Sequence, residues 1–219
     1  MPHQRLLSKI RSFGIDGKLI DWISDFLTDR RQKVCTNGHE SSWKKVKSGV
    51  PQGSVLGPAL FSLYVSNAPN NLSNLISLFA DDTKLYSILN DTNSGDSLQD
   101  DLDRICEWSR KMEMRFNYAK CKVMHLGSRN PKHEYSMNDP SGEQYHLEST
   151  EAERDLGVIV DTKLKFSKHV EEAVKKANRV LGSLTHTFKH MNKELFLQLY
   201  KGLVRPHLEY MPARCGPHT

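Results

Sequence analysis

Apolar residues recur at helical spacing near both ends of the chain and at strand spacing between them. Leu6, Leu7 and Ile10 fall on one face of a helix over 3–13 that Gly14 closes. Leu19, Ile20, Ile23, Phe26 and Leu27 mark a second helix, with Asp16 as its cap. Arg30 to Thr36 alternates like a strand. Asn37-Gly38 is the dipeptide of a tight hairpin turn, and Trp43 to Val46 is the expected return strand. The segment GVPQGSVLGP over 49–58 reads as a loop. A helix through Ala59, Leu60, Leu63, Tyr64 and Val65 follows, with Pro58 in its first turn and Pro69 at its end.

The centre of the chain switches to period two. Leu75 to Phe79 and Thr83 to Leu89 are two short strands separated only by Ala80, Asp81 and Asp82. A turn at 93–96 leads into an amphipathic helix carrying Leu98, Leu102, Ile105, Trp108, Met112 and Phe116. Cys121 to Leu126 reads as a strand, 128–150 as a polar hairpin over Tyr135 and Tyr145, and Leu156 to Val160 as a buried strand. Over 165–189 a long helix aligns Phe166, Val170, Ala173, Ala177, Val180, Leu181 and Leu184. Lys165, Lys168, His169, Lys176 and Arg179 fall on its other side. Asn192 caps a last helix that runs through Leu203, before Pro206. The pattern is that of an α+β protein.

The chain has 219 residues, enough for one or two domains with a real core. Its mean hydropathy is −0.58, and no apolar run approaches the roughly 18 residues of a membrane span. The N-terminal MPHQRLLSKIRSFG lacks a secretory h-region. An intracellular protein, nuclear or cytoplasmic and not secreted, is expected. The four cysteines include no C-x-x-C pair, which argues against a zinc ribbon or a disulfide scaffold.

Net charge is +5, but its distribution is uneven. Residues 1–50 hold ten Lys and Arg against five Asp and Glu. Residues 51–110 hold three against eight, and residues 111–219 hold 18 against 13. Basic flanks can neutralise phosphates, and an acidic centre can hold divalent cations. The acidic centre contains Asp81-Asp82. Adjacent ionised carboxylates repel unless a cation or proton lies between them, and magnesium prefers such oxygen donors.

FADDTKLY follows GVPQGSVLGPALFSLY at a spacing that resembles the reverse transcriptases of non-LTR, LINE-type retrotransposons. NYAKCKVMHLG and ERDLGVIVD extend the resemblance downstream. It implies a polymerase palm, an antiparallel sheet packed by helices, over 1–160. A partial helical thumb would follow over 161–219. The implied reaction is attack of a primer 3′-hydroxyl on the α-phosphate of a dNTP, assisted by two Mg²⁺ ions. Asp81 would be a direct metal ligand and Asp82 would support the same site. Phe79 and Ala80 would lie near the primer end, and Gln52, Gly53 and Ser54 of the loop would face the nucleotide and template. Lys120 or Lys122 would protonate pyrophosphate. Lys165, Lys168, Lys176 and Arg179 would track the duplex backbone. An RNA template, a DNA primer and dNTPs are the implied partners.

The resemblance also sets expectations about what the chain lacks. The first catalytic strand with its third carboxylate, and the fingers, are expected upstream of Met1. Asn67 and Cys215 stand where the family tends to carry Asp and Trp. A truncated copy that has lost activity, with an exposed sheet edge prone to self-association, is therefore expected. The alternative is a non-catalytic nucleic-acid-binding remnant of a mobile element.

Overall fold

The computed structural model describes residues 1–66, 71–89 and 94–210. Pro69, Asn67, Asn93 and Cys215 lie outside the described residues. The chain forms two compact units. The first comprises Met1–Cys121 and His133–Leu147, and the second comprises Lys122–Lys132 and Glu148–Thr219. These units differ from the 1–160 and 161–219 division, because the short strands from Lys122–Val123 to Val158–Asp161 that lie in 122–132 and 148–161 group with the C-terminal helices.

In the first unit, α1 (His3–Ser12), α2 (Lys18–Leu27) and α3 (Leu56–Val65) share one core. Leu6, Leu7 and Ile10 of α1 meet Ile20, Ile23 and Leu27 of α2 and Leu60 and Tyr64 of α3. Fully burying each such aliphatic side chain is worth about 1.5–3 kcal/mol. The Tyr64 hydroxyl is buried with its ring and donates to the Met112 carbonyl at 2.5 Å, so no polar atom is stranded there. Helix α2 begins one residue later than expected. Gly17, with φ 63°, takes the cap position, and Asp16 makes no capping bond.

The basic segment after α2 folds as a ribbon. Arg31–Gln32 pairs antiparallel with Lys44–Lys45, and Cys35–Thr36 pairs with His39–Glu40 across Asn37-Gly38. Both turn residues have positive φ, 47° and 79°, as a type I′ turn requires. The return partner of Cys35–Thr36 is thus His39–Glu40, and only Lys44–Lys45 pairs back to the start of the ribbon.

Helix α4 (Ser94–Lys111) starts within the span expected to be a turn and ends before Met112 and Phe116. It packs on the strand Ser136–Asn138, which pairs with Gln144–His146 as the hairpin over Tyr135 and Tyr145 was expected to do. Tyr145 stacks on Tyr118, with ring centroids 5.0 Å apart.

In the second unit, the expected strand over 121–126 shrinks to Lys122–Val123, paired in parallel with Glu148–Ser149. The strand expected from Leu156 begins instead at Val158. Leu156 and Gly157 both have positive φ and make the turn between Ala152–Asp155 and Val158–Asp161. Helix α5 (Ser167–Thr187) buries Ala177 and Leu184 against Val204.

Asn192 caps α6 (Lys193–Leu199) as expected, its side chain accepting from Leu195 N–H at 2.8 Å. The helical path does not stop before Pro206. Tyr200–Val204 widens into a π turn, and α7 (Arg205–Glu209) restarts with Pro206 in its first turn, where a missing N–H costs nothing. Among the described residues no helix is long and apolar enough to cross a membrane.

Candidate functional site

The strand Leu75–Phe79 runs antiparallel to Asp82–Tyr86, with Phe79 opposite Asp82 and Leu78 opposite Thr83. The connection is therefore two residues, Ala80 and Asp81, rather than three. Asp82 belongs to the strand and shares a sheet face with Phe79. Ala80 takes a left-handed φ of 51°, which an L side chain accepts at a cost of roughly 1–2 kcal/mol. Asp81 and Asp82 are both exposed. The hairpin around them is apolar and open, with Leu75 69% and Phe79 61% exposed. Among the described residues no helix packs extensively on it.

What holds the hairpin is its root. Asp101 of α4 is fully buried, and its carboxylate accepts from the backbone N–H groups of Ser73 (2.9 Å) and Asn74 (2.8 Å). It also accepts from Asn74 Nδ2 at 2.9 Å and from Arg104 at 3.1 Å. Arg104 in turn donates to the Asn71 carbonyl at 2.9 Å. Burial alone would push the Asp101 carboxyl up. The Ser73 and Asn74 donors and the Arg104 guanidinium outweigh it and hold the pKa below the usual carboxylate range. The helical pattern contained the signal for this residue. Asp101 sits within the apolar stripe between Leu98 and Ile105, where a carboxylate is buried only if it is paired.

The loop Gln52-Gly53-Ser54 lies at the entry to α3. Gln52 and Gly53 are exposed, and Gly53 has φ 78°. The Ser54 hydroxyl donates to the Pro51 carbonyl at 2.7 Å and accepts from Gly57 N–H at 3.0 Å. A Cβ on Gly57 would meet Pro51 O and Ser54 Oγ at 3.0 Å, so this glycine lets the loop close on its helix. Ser54 is thereby occupied as a local clasp. The start of the loop is tied to the N-terminus by His3 Nε2, 2.9 Å from the Gly49 carbonyl oxygen. Among the described residues, α3 and the two hairpin strands do not pack extensively on one another.

Lys120 ends a 3-10 turn over Tyr118–Lys120 and is exposed. Lys122 pairs with Glu153 at 2.9 Å, and that hydrogen bond raises its pKa. Lys168, Lys176 and Arg179 are exposed on α5, and Lys165 is exposed just ahead of it. His169 departs from this set. It is 6% exposed, and its Nδ1 lies 3.3 Å from the Ile159 backbone N–H. It faces the strand Val158–Asp161 and does not belong to the basic face.

A reverse transcriptase (RNA-dependent DNA polymerase) family model matches residues 1–166. This chain belongs to the reverse transcriptase family. It is 30% identical over 203 residues to the RNA-directed DNA polymerase from mobile element jockey of Drosophila melanogaster, a match covering 86% of this chain and 21% of that protein. The jockey counterpart of Drosophila funebris is 30% identical over 226 residues, covering 95% of this chain and 24% of its own. A probable RNA-directed DNA polymerase from transposon X-element of Drosophila melanogaster is 29% identical over 199 residues, covering 86% and 21%. The reverse transcriptase chain thus spans between a fifth and a quarter of the length of these relatives.

The divalent cation expected for a reverse transcriptase can be tested against the donors present. Asp81 and Asp82 supply hard carboxylate oxygens of the kind Mg²⁺ takes, leaving room for water and substrate phosphates. Among the described residues no group of three or more His, Cys, Asp and Glu converges as a metal site. The pair matches one such ion in kind, while donors for a second are not gathered here.

Proposed function

We propose that this reverse transcriptase chain presents Asp81 and Asp82 as the cation-binding carboxylates of an RNA-directed DNA polymerase palm. The hairpin Leu75–Tyr86 would be the palm element and α5–α7 part of a thumb. The observation that carries the reading is an exposed Asp-Asp pair at the end of an antiparallel hairpin, with Asp81 in the two-residue turn and Asp82 at the first position of the return strand. Such a turn can advance both carboxylates toward a triphosphate without a backbone clash.

When bound, Mg²⁺ would neutralise phosphate charge at the point of nucleotidyl transfer. The chain's own residues would do the positioning. Ala80 offers a small surface and Phe79 an open ring for the primer end. Gly53 permits close approach of the backbone to the nucleotide, with Gln52 beside it. Lys120, free of the ion pair that engages Lys122, would supply a proton to the pyrophosphate. Template RNA, primer DNA and dNTPs are the substrates of this reading, with a cell interior, nuclear or cytoplasmic, as its setting. The open strands of the hairpin would favour self-association.

The described residues gather two carboxylates for a reaction that uses two ions, so the isolated chain is expected to bind the cation without polymerising. Mn²⁺ titration followed by NMR should broaden the Asp81 and Asp82 amides first, and Asp81→Ala should abolish the effect. Broadening spread evenly over the acidic surface would refute the site. Primer extension on poly-rA/oligo-dT with Mg²⁺ tests the rest. Extension that Asp81→Ala removes would establish an active enzyme. The non-catalytic alternative draws on the exposed cations of both units and predicts duplex binding that Asp81→Ala leaves intact.

A further inference from the structure

The ribbon between α2 and α3 concentrates positive charge in a way that folding does not favour. Arg30, Arg31, Lys33, Lys44, Lys45 and Lys47 lie within 18 residues, against Glu40. Arg31 is directly opposite Lys45 in the antiparallel register. Like charges facing each other across two strands destabilise the pair. Both side chains are exposed, as are Lys44 and Lys47.

Lys33 shows what a satisfied cation here looks like. It bridges to Glu40 at 2.5 Å and lies over the Trp43 ring, 5.1 Å from its centroid. Arg31 and Lys45 face each other across the register instead. An anion set between them would turn that repulsion into attraction. Trp43, 59% exposed even with Lys33 over its ring, adds an aromatic surface beside the cations.

We propose that this ribbon is a nucleic-acid-binding arm, with Arg31 and Lys45 straddling the phosphate backbone and Trp43 as a neighbouring stacking surface. A polyphosphate chain is the occupant that the charge fits best. It offers repeated anions to a row of exposed cations, and contacts to the backbone need no entry into a groove. Recognition would be independent of sequence, because phosphate contacts carry no base information. The inference extends the primer–template reading to a surface separate from the Asp81-Asp82 turn. It rests on that reading only for the identity of the polyanion.

The test uses the full 219-residue chain with a fluorescent RNA–DNA duplex, measured by anisotropy from 50 to 300 mM NaCl. Arg31→Thr/Lys45→Thr keeps strand-favouring residues and should weaken binding on the order of tenfold. It should also reduce the log–log salt slope by about 2, since each phosphate contact contributes roughly 0.9. Lys45→Glu separates folding from binding. It places an opposite charge across from Arg31, so the melting temperature should hold or rise while affinity falls.

Wild-type affinity and slope retained in both ribbon variants would overturn the arm while leaving the cation site untouched. Absence of any duplex binding by the wild-type chain would overturn the arm and the nucleic-acid reading together, with the Mn²⁺ titration still deciding the carboxylate pair. Equal charge-dependent binding to vesicles containing anionic phospholipid would refute a nucleic-acid-specific arm.

Discussion

Asp101 Oδ2 accepts the backbone N–H of Asn74 at 2.8 Å, one residue before the strand that leads to the Asp81 turn. The same carboxylate takes the Ser73 N–H and the Asn74 side chain, so a single buried residue of α4 ties down the root of the hairpin. Asp101→Ala leaves these donors unpaired in a closed space. It should destabilise the chain by about 3 kcal/mol, read from the urea midpoint at constant m. Amide exchange over 73–86 should accelerate more than exchange in α1.

The charge state of Asp101 gives a pH signature. Its folded pKa lies below the unfolded value of about 3.9, so its contribution is complete above that value and disappears as pH falls through the folded pKa. Asp101→Asn should therefore flatten the acid side of the stability curve. An unchanged acid limb in the variant would contradict the assignment.

Ala80 pays for its left-handed backbone, and glycine would not. Ala80→Gly should slow amide exchange within the hairpin, with a gain of about 0.5–1 kcal/mol locally. Ala80→Val should have the opposite sign.

Gly57→Ala places a Cβ 3.0 Å from Pro51 O and Ser54 Oγ. Backbone and clasp must move apart, at a cost of about 1–3 kcal/mol in thermal or chemical unfolding. The NMR shifts of Gln52 and Gly53 should move with it.

Thiol chemistry separates the described cysteines. Burial pushes the Cys106 and Cys121 thiols up, whereas Cys35 is exposed. Iodoacetamide at pH 7.5 should label Cys35 well before the other two, as peptide mass spectrometry would record, because the thiolate is the reacting form.

Local signals were legible wherever a residue's role was settled by its neighbours in the chain. Asn37-Gly38 sets its own turn, Asn192 caps its own helix, and the Leu75–Tyr86 hairpin follows from alternation around a short connection. Roles set by distant partners were harder to read. His169 looked basic because a helical wheel shows charge but not the strand that covers it. The pairing of Lys122–Val123 with Glu148–Ser149 joins residues 26 apart in sequence and leaves no local trace. Asp101 carried a readable sign, a carboxylate in an apolar stripe. The donors that make it structural come from a loop nearly thirty residues earlier.

The interleaving of the two compact units restricts how the molecule can be taken apart. The backbone passes from one unit to the other after Cys121, Lys132 and Leu147, so no single cut frees either as a continuous piece. A fragment ending at Leu147 would keep Lys122–Val123 but lose the parallel partner strand. Limited proteolysis between 122 and 150 should thus yield nicked, still associated fragments, and neither truncation nor circular permutation can isolate a unit whose segments alternate with those of the other.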